Sequence, residues 1–188
     1  MIQQIPNLVS LLRLCLAPFV FRAIWEREYH IALAWLFFAA FTDILDGFLA
    51  RRLHVVSRTG AYIDPIADKV LLSGTYFMLG YDRVIPLWLT GIVFGRDALM
   101  LIAIAYFYFV RGIRSFPPTI WGKLSTFVQI FVAFIILLSG VMSIGAHELQ
   151  VKTALLWLAG AATVWSAIDY GRIGLGMLTG QKSAELPN

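Results

Sequence analysis

Long apolar runs separated by short polar breaks constrain this 188-residue chain more than any other feature. About 20 apolar residues carry a helix across a hydrocarbon core of about 30 Å. Runs of that length fall near 8–25, 31–50, 61–81, 85–110, 119–144 and 151–171. They are too long for strands and do not alternate in polarity, which excludes a membrane β-barrel. The sequence therefore predicts an all-α fold: one integral membrane bundle of six transmembrane helices, with an amino-terminal interfacial segment. A single domain over 1–178 and a frayed polar tail over 179–188 are expected. Sixty per cent hydrophobic residues and a mean hydropathy of +0.78 agree with a bilayer setting. No basic run interleaved with aromatics points to nucleic acid. The first run lacks a basic leader and a small-residue cleavage site, so it does not read as a signal peptide.

Lysines and arginines near the span ends set the expected orientation. One side carries Arg51, Arg52, Arg58, Arg111, Arg114, Lys123, Arg172 and Lys182. The other carries Arg22, Arg27, Arg83 and Lys152. The first side, with both termini, is expected in the cytoplasm. Arg13, Lys69 and Arg96 lie inside spans. The tryptophans, several near span ends, fit interfacial belts. His30, His54 and His147 are scattered and expected at the surface. Cys15 is the single cysteine and is expected to be a buried structural thiol.

Four aspartates break this pattern: Asp43, Asp46, Asp64 and Asp68. Each would cost roughly 2.5–3.5 kcal/mol if ionised at the centre of a spanning helix. Asp43 and Asp46 share a helix face, which Gly47 and Ala50 extend and Arg51 ends. Gly60, Asp64 and Asp68 form a second stripe at spacings of four and four. If the second and third spans are neighbours, the stripes can converge at the cytoplasmic surface. Two divalent cations would cancel the four charges, and oxygen-only ligands suit Mg²⁺ or Mn²⁺. Gly47, Ala50 and Gly60 allow close approach to backbone, and Arg51 offers a planar fork for phosphate. Together these suggest a lipid-linked nucleotide diphosphate. Small residues alone would indicate close helix packing, and lone acids a cation or proton pathway. A small transporter explains intramembrane charge but not the fixed offsets of Gly47, Ala50, Arg51 and Gly60.

The spacing D-x2-D-G-x2-A-R-x8-G-x3-D-x3-D is met in full, and it resembles the signature of the CDP-alcohol phosphotransferase family. Six spans and a length near 190 residues resemble that family too. The resemblance implies that Asp43, Asp46 and Asp64 hold two divalent cations. It implies that Asp68 serves as general base and also as a metal ligand. Asp46, Gly47, Ala50, Arg51 and Gly60 would form the CDP site. A homodimer is implied as well.

The opening Asn7, Ser10, Arg13 and Pro18 resembles glycerophospholipid-forming members, whose donor is CDP-diacylglycerol. Two branches share it, one using phosphatidylglycerol as acceptor (cardiolipin-forming) and one using glycerol 3-phosphate. In the second branch an arginine follows the basic-acidic pair by about eight residues. Here Arg96-Asp97 is followed by uncharged Ile104-Ala105-Tyr106. Lys123, Thr126 and Gln129 resemble a cardiolipin-branch pattern. Phosphatidylglycerol is therefore the expected acceptor, with glycerol 3-phosphate as the alternative. Arg96 and Lys123 are the candidate acceptor-phosphate ligands. Their ordinary roles would be an ion pair with Asp97 for Arg96 and an interfacial charge for Lys123.

Overall fold

Helices begin and end where the apolar runs meet polar breaks. In the computed structural model they are α1 (Ile5–Trp25), α2 (Tyr29–Leu53), α3 (Gly60–Tyr81), α4 (Leu87–Arg111), α5 (Ile120–Val141) and α6 (Glu148–Leu178). The structure describes the backbone of residues 5–53, 60–111, 119–142 and 147–178, and side chains within 12–42, 69–103, 105–107, 109–110, 119–142 and 147–176. No strand occurs among the described residues. Leu87–Phe107, Ile120–Val141 and Glu148–Gly176 are long and apolar enough to cross a membrane, and Tyr29–Thr42 is a shorter apolar stretch. Phe109, Ile120, Leu149 and Phe127 are largely exposed. An apolar outer surface of this kind needs lipid as its solvent. The chain is a helical membrane protein; the described residues bear out three of the six expected spans.

The helix contacts define two linked rings. Helix α1 packs on α2 and α3, and α5 packs on α2 and α3, so these four enclose a first ring. Helix α4 packs on α3 and α6, and α6 on α5, which closes a second ring against the shared α3–α5 wall. Among the described residues α2 and α3 do not pack on each other; they face across the first ring. That ring is filled by Val20, Ile24, Ala32, Leu36, Leu79 and Ile136. Small residues admit bulky neighbours between helices, as where Gly140 meets the Tyr29 ring and Gly160 meets Trp88.

One end of the bundle holds the 26–28 and 82–86 turns. Helices α1 and α3 finish there with the same cap. Arg27 N–H donates to Ile24 and Glu28 N–H to Ala23; Arg83 N–H donates to Gly80 and Val84 N–H to Leu79. This paired pattern places the second residue after each helix in the left-handed region, with φ of 59° at Arg27 and 58° at Arg83. Arg27 donates to Asp82 Oδ1 from Nε (3.0 Å) and from Nη2 (2.7 Å), and Tyr29 Oη donates to Oδ2 (2.7 Å). The opposite end carries the end of α2 and the starts of α3 and α5. Thr119 caps α5, its side chain accepting from Gly122 N–H at 2.9 Å.

Candidate active site

The described part of α2 shows which line of that helix is inward. Ala32, Leu36 and Ala39 are buried, and their spacing of four and three continues through positions 43, 46 and 50. On α3, the buried Leu79, Thr75 and Leu71 continue backwards through positions 68 and 64. Both lines turn towards the interior of the first ring, at the end where α2 finishes and α3 begins. The side chains of Asp43, Asp46, Gly47, Ala50, Arg51, Gly60, Asp64 and Asp68 lie outside the described residues. Carboxylate donors in this number have the chemistry that hard divalent ions require.

Helix α1 contributes a buried charge. Arg13 is buried on the line that continues through Leu16, Ala17 and Val20. Phe21 packs over Gly74, so position 13, eight residues earlier on the parallel helix, lies near the level of position 66. Cys15, on the same helix, is exposed and not buried; it falls on the side of α1 away from Arg13, Leu16, Ala17 and Val20. His30 and His147 are at the surface as expected, and His54 lies outside the described residues.

A polar cluster occupies the second ring. Asp97 Oδ1 accepts from Lys69 Nζ at 2.5 Å and from Arg96 Nη1 at 2.6 Å. Asp97 Oδ2 accepts from Ser73 Oγ at 2.5 Å. Arg96 Nη2 donates to Ser166 Oγ at 2.8 Å, and the guanidinium lies 5.5 Å from the centre of the Tyr170 ring. The side chains of Arg96 and Asp97 are 3% and 5% exposed, that of Lys69 16%. Below them Gln129 Nε2 donates to Thr163 Oγ1 at 2.8 Å, and Tyr76 Oη donates to the Gln129 carbonyl at 2.9 Å. Membrane burial of this kind requires such mutual satisfaction.

Arg96 thus takes the ion pair with Asp97, and its Nε is buried without a hydrogen-bond partner. Lys123 is exposed in the first turn of α5. The structure does not bring the two cations into contact; Tyr170 lies between their sites. Its ring sits under Arg96, while its hydroxyl meets Gly122 and accepts weakly from Thr119 N–H at 3.4 Å. The sequence reading missed Lys69, Ser73, Ser166 and Tyr170. The available signal was Lys69 and Asp97, opposite charges inside two consecutive spans, which need partners there.

Two rings of membrane helices, with an acid-bearing line on each of two helices and a buried cationic cluster beside them, describe an intramembrane polar site. The chain belongs to the CDP-alcohol phosphatidyltransferase family, whose model matches residues 3–165. It is 32% identical over 194 residues to a rat protein named cardiolipin synthase (CMP-forming), covering 94% of this chain and 64% of the relative. It is 31% identical over 185 residues to a probable cardiolipin synthase (CMP-forming) of Drosophila melanogaster, covering 97% of this chain and 55% of the relative. It is 33% identical over 182 residues to the CDP-diacylglycerol–glycerol-3-phosphate 3-phosphatidyltransferase of Aquifex aeolicus, covering 93% of this chain and 98% of the relative. The chain therefore spans less than two thirds of the length of the two animal relatives.

Proposed function

We propose that this chain transfers the phosphatidyl group of CDP-diacylglycerol to a glycerol hydroxyl of phosphatidylglycerol, releasing CMP and forming cardiolipin. The observation that carries the reading is the complete eight-residue signature on α2 and α3, in register with the inward-facing lines of both helices. Asp46, Gly47, Ala50, Arg51 and Gly60 bind the CDP moiety, and Asp43, Asp46, Asp64 and Asp68 hold two Mg²⁺ or Mn²⁺ ions. When bound, paired dications neutralise the diphosphate and stabilise its leaving oxygen. Asp68 takes the proton of the acceptor hydroxyl as that oxygen attacks the β-phosphorus, the one linked to diacylglycerol. The new P–O bond forms as the bond to the CMP oxygen breaks, so no protein nucleophile is required. Arg96 and Lys123 orient the acceptor phosphate.

Six spans carry this site, with its acidic end facing the cytoplasm, in a bacterial-type inner membrane. The chain acts as a homodimer. The acceptor reading is supported by Ala105 and Tyr106, uncharged where a dianionic acceptor would favour a further cation. Glycerol 3-phosphate is the second reading, favoured by the likeness to the Aquifex relative over nearly that protein's full length. Purified protein given CDP-diacylglycerol with each acceptor in turn decides by product identity. Cardiolipin formed with Mg²⁺ or Mn²⁺, and abolished by EDTA, is expected. Phosphatidylglycerophosphate as the sole product would overturn the acceptor assignment, and turnover unaffected by chelation would overturn the metal assignment.

A further inference from the structure

A groove of about 430 Å³ runs between α4 and α6. Its walls include Leu99, Ala103, Tyr106, Phe107, Gly171 and Gly174, and Arg96 closes one end. Leu99 and Tyr106 are exposed on the outer surface of the bundle, so the groove opens sideways to lipid. Its volume falls within the roughly 300–1,000 Å³ typical of ligand pockets.

We propose that this groove holds an acyl chain of a lipid acceptor whose monoanionic phosphodiester is drawn to Arg96. The inference rests on the acceptor reading above and extends it to the part of the molecule that selects a lipid over a water-soluble alcohol. Charge argues for the occupant. Lys69 and Arg96 share one carboxylate, Asp97, so the described cluster holds two cations and one anion. One further negative charge balances it, which a phosphodiester supplies. Arg96, which lines the groove, also keeps a buried Nε–H without a partner. A buried donor left unsatisfied is costly, and a phosphodiester oxygen would relieve it. The apolar walls then receive the chain beneath that headgroup. A small polyol phosphate would leave them bare.

The two glycines supply the test. A Cβ at Gly171 meets nothing within 4 Å, and one at Gly174 meets only Phe107 Cε2, at 3.8 Å. Leucines at both positions would enter the groove without displacing backbone, and glycine has the lower helix propensity. CMP release by the Gly171→Leu/Gly174→Leu variant is measured in fixed detergent with long-chain phosphatidylglycerol or its deacylated headgroup, glycerophosphoglycerol. The expected result is a KM for the lipid raised on the order of tenfold, the worth of about two buried methylenes. Kinetics with the deacylated headgroup and the KM for CDP-diacylglycerol stay unchanged. An equal change with both acceptors, or no change with the lipid, overturns the proposal. A phosphatidylglycerol carrying a photoreactive group in its acyl chain gives a readout independent of turnover. Labelling of α4 and α6 peptides that falls in the variant supports the groove; labelling confined to other helices, or undiminished in the variant, overturns it. If wild-type protein uses only glycerol 3-phosphate, the acceptor reading fails, and the labelling pattern still decides whether the groove holds a chain.

Discussion

Replacing Asp97 by asparagine keeps its shape and removes the one carboxylate that two buried cations share. The wild-type cluster counts Lys69 (+1), Arg96 (+1) and Asp97 (−1), a net +1; Asp97→Asn makes it +2. Breaking a buried ion pair from one side costs about 3–5 kcal/mol, because the remaining charge stays desolvated. Lys69 retains some exposure and can move its ammonium towards water, which favours the lower part of that range. Taking the scaling for soluble chains of this size, the melting temperature falls by roughly 10 °C. Adding Lys69→Met returns the net charge to +1 and should recover part of the loss, a coupling of about 1–3 kcal/mol. The assay is a melting series of wild type, both single variants and the double variant, in one detergent and at one ionic strength. Asp97→Asn as stable as wild type, or a double variant no more stable than Asp97→Asn, would refute the claim that charge balance holds this cluster.

Three further outcomes are expected. Asp68→Asn abolishes CMP release while CDP-diacylglycerol still binds, read as retained ligand-induced thermal stabilisation; substantial turnover would remove Asp68 as base. Arg83→Gly raises stability by about 1 kcal/mol, because a non-glycine residue at φ of 58° gives up the steric ease of the left-handed region; a lower melting temperature would contradict the cap. Burial first, and the hydrogen bond to Asp82 second, push the Tyr29 hydroxyl from 10.0 up to about 12. Because the folded value is the higher, this contribution to stability is complete below about pH 10 and is lost as pH rises to about 12. Tyr29→Phe should flatten that alkaline loss, and an unchanged profile would exclude Tyr29 as its source.

The helices were legible because length alone sets them: each apolar run is bounded by a polar break or a proline-rich turn. Span ends moved most where side chains choose the stop. Helix α6 continues to Leu178, beyond the expected 171, since Arg172 and its neighbours are compatible with a helix leaving the bilayer. The aspartate signature could be read because its chemistry is fixed by spacing on one helix at a time. The Lys69–Asp97–Arg96–Ser166 cluster was not legible, since it joins three helices through contacts that only tertiary packing creates. Arg96 was singled out, yet sequence could not decide between a ligand role and the ion pair; the geometry shows the ion pair, with two of its nitrogens bonded within the protein and Nε left without a partner.

Helix α3 is where the two halves of the site meet. Successive residues on a helix are rotated by about 100°. Position 68 shares the line of Leu71, Thr75 and Leu79, which turns into the first ring. Lys69, the next residue, shares a line with Ser73 and meets Asp97 of α4 in the second ring. A single step along one helix thus passes from the proposed donor chemistry to the cationic cluster beside the proposed acyl-chain groove. The Lys69–Asp97 and Ser73–Asp97 bonds fix the rotation of α3 about its own axis. Turning that helix by even part of one residue's rotation would carry position 68 away from the first ring while leaving the acid in the chain. Variants at Ser73 therefore separate position from charge. Ser73→Ala removes one bond to Asp97 and changes no charge. A loss of kcat with unchanged KM for CDP-diacylglycerol would fit a shifted base, whereas equal losses for donor and acceptor binding would mean the α3–α4 contact is only structural.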